Sequence, residues 1–233
     1  MKTFLEEYKI HKSYQAFFSS KRVMWIEKTL ELLGDYTPSK ENIFKALSRD
    51  ISTAKVIILG QDPYPQKGAA TGLAFQVSAA SWLDKEINTS LKNILKLLYF
   101  SYENKRATIE EIRSEILLGK FLISAPHKLL DSWQRQGVIL LNTALTTKVL
   151  EAGSHLSIWK EFTSDLLDYM AHKNQNLEFF LWGNKVAPFK KSLKFGKISE
   201  SNHPAICGNL ENPKDFLNNF CFIESQTKIE WLK

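Results

Sequence analysis

The chain has 233 residues, 44% hydrophobic and 24% charged, with 31 Lys and Arg against 25 Asp and Glu, a net charge of +6. That length suffices for a full core and makes one domain over 1–233 the default, while the mild basicity suits a polyanionic partner. Two cysteines, Cys207 and Cys221, exclude a disulfide framework and a four-cysteine metal or iron–sulfur site, and fit a reducing compartment.

No apolar run reaches membrane-spanning length, and the opening MKTFLEEYKIHK is too charged for a signal peptide. The expected location is therefore cytoplasmic, or nuclear in a cell that has a nucleus. Residues 1 to about 30 read as helix, with Phe4, Tyr8, Tyr14, Phe17 and Phe18 spread among lysines. Residues 37–50, TPSKENIFKALSRD, carry a start signal before a periodic Ile43, Phe44 and Leu47, and also read as helix. Residues 56–59 are a short apolar, β-branched run suited to a strand buried on both faces. Gly60 breaks it, and Gln61, Asp62, Pro63, Tyr64 and Pro65 form a stiff loop, because a Gly and two prolines continue neither strand nor helix.

Residues 72–78, GLAFQVS, look extended, and Asn88 caps a helix that runs to about Phe100. The charged stretch 102–120 has a helical pattern, and 124–130, with Pro126 and His127, reads as a loop. A second strand covers 138–141 and ends at Asn142. A helix over 158–171 puts Trp159, Phe162, Leu166 and Met170 on one face. The third strand, 177–182, ends at Gly183-Asn184, and a short fourth, 197–201, runs into Asn202-His203-Pro204.

Strands alternating with helices predict an α/β protein: three layers, α/β/α, around a central and mainly parallel four-stranded sheet. In such sheets ligands bind at the carboxyl ends of the strands. Asp62, Asn142, Asn184 and His203 each follow a predicted strand, so they should gather along one edge. Each also has a plain reading alone: Asp62-Pro63 as a turn, Asn142 as a strand stop, His203 as a surface loop residue, Phe75 as core. His203 and Cys207 make half a metal site with no second pair to complete it, so neither metal nor cofactor is expected.

Taken in order, the segments are similar to the successive motifs of the uracil-DNA glycosylases. KVIILGQDPYP at 55–65 resembles the family's water-activating motif, followed by GLAFQVS at 72–78 and SLKNI at 90–94. VILLNTALTT at 138–147, SHLSIWKEFT at 154–163, FFLWGNKVA at 179–187 and NHPAI at 202–206 continue the match. The resemblance implies hydrolysis of the glycosidic bond of deoxyuridine in DNA, leaving an abasic site. It implies that Asp62 lies by the sugar, orienting water and stabilising positive charge, and that His203 donates a hydrogen bond to the departing uracil. Gln61 would offer backbone contacts to the base and Asn142 would read its edge. Phe75 would stack on the flipped base, and Tyr64 would exclude a thymine methyl.

The chain departs from the family on the DNA side. Pro65 stands where the family has His, and no proline-rich strip precedes Ser90, which could still reach a phosphate. The family's His-Pro-Ser-Pro-Leu becomes His203-Pro204-Ala205-Ile206-Cys207, so the serine hydroxyl is lost and Cys207 occupies the place of the leucine wedge. Ile206 is the candidate substitute wedge, with core packing as its alternative. These changes predict a preference for uracil in single-stranded DNA, with duplex as a second substrate. DNA-mimicking inhibitor proteins are a further expected partner class, and a monomer is the expected state. A rival reading is a related glycosylase acting on another modified uracil. Another is a catalytically weak DNA-binding or replication-accessory protein that retains the fold.

Overall fold

The chain's three most apolar short runs are strands buried at every residue. The computed structural model describes residues 2–85 and 87–233. In chain order its helices and strands are α1 (Lys2–Glu7), α2 (Ser20–Leu32), β1 (Tyr36–Thr37), β2 (Val56–Gly60), α3 (Thr89–Glu103), α4 (Ile109–Leu117), α5 (Pro126–Arg135), β3 (Val138–Asn142), β4 (Thr147–Lys148), α6 (Leu156–Lys173), β5 (Glu178–Trp182), β6 (Lys197–Ser201) and α7 (Cys221–Ser225).

The main sheet has the order β3-β2-β5-β6, and every pairing is parallel. Strands β2, β3 and β5 are buried at every residue, β3 although it stands at one edge, whereas the other edge, β6, is more exposed. Each fully buried Leu, Ile, Val or Phe contributes about 1.5–3 kcal/mol, so these strands supply much of the core's stabilisation. The only charged residue of the three, Glu178, is met by Lys228 at 2.6 Å. One aromatic cluster sets Phe180 and Trp182 of β5 against Trp133, Phe216, Phe222 and Trp231. Another joins Phe4, Phe18 and Phe44 to Trp159 and Phe162 of α6. The chain leaves β2 for β3 on one side and then crosses to β5 on the other. That reversal opens a crevice at the strands' carboxyl ends.

Several expected elements differ. The first 30 residues are two helices, not one: His11 caps a 3₁₀ turn at Lys12–Tyr14, and the Ser19 hydroxyl accepts the Arg22 N–H to start α2 afresh. Residues 37–50 form 3₁₀ turns at Lys40–Asn42 and Lys45–Leu47 in place of an α-helix. There Ser39 bonds to the Glu41 and Asn42 side chains and caps nothing, yet Ile43, Phe44 and Leu47 are all buried. Their periodicity reported burial, which a 3₁₀ turn satisfies as well. Residues 72–78 are not extended, because Gly72 and Phe75 both take left-handed backbone, φ +86° and +62°. Within 102–120 only α4 is a separate helix, beginning with a Thr108–Glu111 capping box. The predicted loop at 124–130 is the start of α5, with Pro126 in the first turn, where its missing N–H costs nothing.

Candidate functional site

A cavity of about 250 Å³ lies at the carboxyl ends of the main sheet, lined by Gln61, Asp62, Tyr64, Phe75, Asn142 and His203 among others. Pro65 and Ser90 also line it. The strand-end rule therefore gathers Asp62, Asn142 and His203. It misplaces Asn184, which is exposed and does not line the cavity. At that strand end the important residue is Gly183: with φ +113° and no side chain, it lets the His203 Cβ approach to where an added Cβ would stand at 2.9 Å.

Asn142 closes β3 in register with Gly60 of β2. A Cβ on Gly60 would sit 2.4 Å from the Asn142 Oδ1 and 2.8 Å from the Ala74 Cβ. Glycine is thus the residue that allows the amide to lie across the strand end. The Asn142 side chain is only 6% exposed, and no described residue hydrogen-bonds it. Asn142 lines the cavity, so its amide is available to a partner that enters there. The next residues brace the Asp62 loop: Thr143 Oγ1 and the Ala144 N–H both donate to the Gln61 carbonyl, at 2.7 and 2.9 Å.

Asp62 receives two hydrogen bonds, from Gln61 Nε2 at 2.9 Å and from the Gly153 N–H at 2.5 Å. Gly153, at φ +78°, belongs to the turn between β4 and α6. In that turn Thr147 and Ser154 bond to each other, and the Leu150 N–H donates to the Pro65 carbonyl. One turn therefore clamps both ends of the Asp62-Pro63-Tyr64-Pro65 segment. The Tyr64 hydroxyl accepts from Asn88 Nδ2 at 3.0 Å, while the Asn88 Oδ1 caps α3. Burial pushes the Tyr64 phenol pKa up, which keeps the ring neutral. Phe75 lies 5.5 Å from Trp182 and 6.1 Å from the His203 ring. Its left-handed backbone is strained for a bulky residue, as is common where a side chain must be aimed.

His203 Nδ1 accepts the Ala205 N–H at 3.1 Å. The neutral ring must then carry its proton on Nε2. Burial lowers the His203 pKa below its ordinary value, and the opposing pull of Asp62 is smaller. The imidazole is therefore neutral at neutral pH, with an N–H to offer. Asn93 of α3 donates to the Pro204 carbonyl at 2.7 Å and fixes the loop that follows. Asp215, only 2% exposed, accepts the N–H groups of Gly208, Asn209 and Leu217 at 2.7–2.9 Å.

On that loop Ala205 is exposed and Ile206 is 74% exposed, so the core-packing alternative for Ile206 is wrong. Cys207 does not take the wedge's posture. Its thiol bonds inward to the Pro204 carbonyl at 3.3 Å, and it is half-buried against the core.

Sequence reasoning missed Gly153, Asn93 and Asp215. Asn93 lay inside the quoted SLKNI, and Gly153 directly precedes the quoted SHLSIWKEFT. Asp215 had no local signal, because its partners are backbone groups six and seven residues back as well as two ahead. Among the described residues no three His, Cys, Asp or Glu side chains are grouped to hold a metal ion, and no helix is long and apolar enough to cross a membrane.

The family model described as the uracil DNA glycosylase superfamily matches residues 49–221. A uracil-DNA glycosylase of Francisella tularensis subsp. holarctica is 34% identical over 206 residues, covering 83% of each chain. One of Mycoplasmopsis pulmonis is 36% identical over 172 residues, 72% of this chain and 67% of that protein. The crystal structure of mimivirus uracil-DNA glycosylase superposes with a TM-score of 0.65 at 26% identity, covering 84% of this chain and 70% of that one. A variant of the mimivirus protein has been solved in complex with UGI.

Proposed function

We propose, given that this chain belongs to the uracil DNA glycosylase superfamily, that its strand-end cavity is where uracil is excised, by Asp62 and His203 acting on opposite sides of the breaking bond. The enzyme is a hydrolase of N-glycosyl bonds that removes uracil from DNA. In the reaction the C1′–N1 bond breaks and its electron pair leaves with uracil as an anion. Water adds to C1′, and its proton passes to Asp62 and then to solvent. Asp62, held by two donors, is placed to orient that water and to offset positive charge on the sugar. The His203 Nε2–H, made available by the Nδ1 bond to Ala205, donates to the uracil oxygen that gains charge. The single observation that carries this reading is a half-buried His203, its Nδ1 engaged by the Ala205 N–H, lining one cavity with a doubly held Asp62.

The open Asn142 amide pairs with one uracil carbonyl and the ring N–H, a pattern that cytosine reverses. Phe75 stacks on the base, Tyr64 blocks a 5-methyl group, and Gln61 supplies backbone contacts. Ser90 at the cavity rim meets a phosphate. Single-stranded DNA is the better substrate, because Pro65 and Ala205 offer no polar side chain and Cys207 turns inward. Ile206, exposed beside them, is the substitute wedge. The working unit is one monomeric domain, in the cytoplasm or nucleus. Inhibitor proteins that mimic DNA would compete at the same surface, a proposal supported by the UGI complex of the mimivirus relative.

The test is uracil release from a single-stranded deoxyuridine oligonucleotide. Asp62→Asn and His203→Ala should each slow release by about 10²–10³ or more while melting as folded proteins. Wild-type release that is undetectable while DNA binding persists would favour the DNA-binding accessory protein. Release unaffected by either substitution would remove that residue from the mechanism.

A further inference from the structure

We infer that Lys96 holds a backbone phosphate of the DNA strand flanking the uracil, in a groove that continues the proposed site along α3. The inference rests on the glycosylase reading and names a contact that reading does not contain. The groove encloses about 310 Å³ between α3, the start of α4 and the 208–217 segment, with Lys96, Arg106, Thr108, Gly208 and Leu210 in its lining.

Position is the first argument. Ser90, Asn93, Lys96 and Phe100 follow one another at helical spacing and share one stripe of α3. Ser90 lines the uracil cavity, Asn93 holds the Pro204 carbonyl, and Lys96 and Phe100 line the groove. Ser90 and Lys96 are six residues apart, about 9 Å along the axis. A strand whose base enters the cavity and whose phosphate meets Ser90 passes over Lys96 next.

Charge is the second. The Arg106 guanidinium is committed to the Leu217 carbonyl and Asn218 Oδ1 and lies over the Phe100 ring. Glu111 is committed to the Thr108 N–H and hydroxyl. Among the described residues Lys96 is the charged lining residue for which no ion pair or hydrogen bond is found, although it is half-buried. A lysine whose stem packs on the groove wall and whose ammonium has no counter-ion is available to an anion that enters the groove. Lys96 and Gly208 line the same groove, so Lys96 lies near the loop where the family carries its wedge. Lys96 thus supplies a phosphate contact near the loop on which Ala205 supplies none.

The test compares Lys96→Met, which keeps the aliphatic stem and removes the charge, with Lys96→Arg. Binding of a uracil-free single-stranded oligonucleotide is followed by fluorescence anisotropy across salt concentrations, beside single-turnover uracil release. Lys96→Met should weaken binding about tenfold at low salt and reduce the log–log salt slope by about 0.7. Release at saturating DNA should stay within about twofold, since the contact is uniform binding and not transition-state stabilisation. Lys96→Arg should restore both affinity and slope. Unchanged affinity and slope in a folded Lys96→Met protein would overturn the inference. So would a lowered melting temperature with an unchanged slope, which would make Lys96 a structural residue. Failure of the wild type to release uracil would instead count against the glycosylase reading, and the anisotropy arm would still decide on Lys96.

Discussion

The uracil cavity and the loop that follows His203 differ in where their polar groups are spent. In the cavity the Gly153 and Ala144 N–H groups and the Thr143, Gln61 and Asn88 side chains brace the loop, and Asn142 and His203 keep capacity to spare. The Asn142 amide is open and the His203 Nε2–H is free of the Ala205 contact, which uses the other ring nitrogen. In the loop the polar side chains turned inward are all engaged. Asp215 and Asn93 spend their side chains on backbone groups, and the exposed residues are Ala205, Ile206 and Leu210 together with Asn209, Glu211 and Lys214. On the proposed reading, one region recognises the base and the other holds a fixed shape beside the DNA. If the proposed reading holds, base recognition and DNA engagement vary separately on one fold.

The largest way to break this contrast is Gly60→Ala. The new methyl would overlap the Asn142 Oδ1 and press on the Ala74 Cβ, which cannot swing away. Displacing a recognition group by about 1 Å can cost about 10²-fold, so uracil release should fall by that order. Near-normal release by the folded variant would show that the amide tolerates another position.

Asp215→Ala addresses the other region. It strands three backbone N–H groups that the carboxylate now satisfies, at a cost of about 1–3 kcal/mol. A lower melting temperature is expected, with faster reaction of Cys207 toward a thiol reagent as the loop loosens. Release from single strands should fall less than release from duplex. Equal losses on both substrates would mean that the loop's shape matters to the cavity itself.

A smaller effect is expected with pH. Burial lowers the pKa of both His155 and His203, so the folded state takes up fewer protons than the unfolded chain. Their contribution to stability is then complete above the unfolded value of about 6.5 and declines as pH falls through it. The melting temperature should drop between pH 7 and pH 5.5, and His203→Gln should make that drop shallower. A drop of the same size in the variant would leave His203 out of the linkage.

The strands were legible in the sequence because residues 56–59, 138–141 and 177–182 are short, apolar and bounded by Gly or Asn. Their parallel order then brought Asp62, Asn142 and His203 to one edge. The same rule failed at Asn184, since a strand end followed by Gly-Asn does not say which of the two residues is used. Gly183 is used, for its lack of a side chain. Residues 37–50 and 72–78 were misread because apolar spacing reports what is buried, and tight turns bury residues as well as helices or strands do. Gly153 acts through a backbone N–H, which has no residue-type signature. Cys207 was placed by its position in the motif, whereas its inward turn depends on the Pro204 carbonyl and the three-dimensional course of the loop.

The central claim is that a complete uracil cavity is joined to a weakened apparatus for opening duplex DNA. It is tested most directly by single-turnover uracil release from matched single- and double-stranded substrates at fixed low salt, for the wild type and Ile206→Ala. Flipping a base from duplex costs a few kcal/mol that single strands largely avoid. The account predicts rapid release from single strands, slower release from duplex, and a further loss in Ile206→Ala confined mainly to duplex. Equal wild-type rates on the two substrates would contradict the weakened opening, and no release from either would contradict the cavity's assigned role.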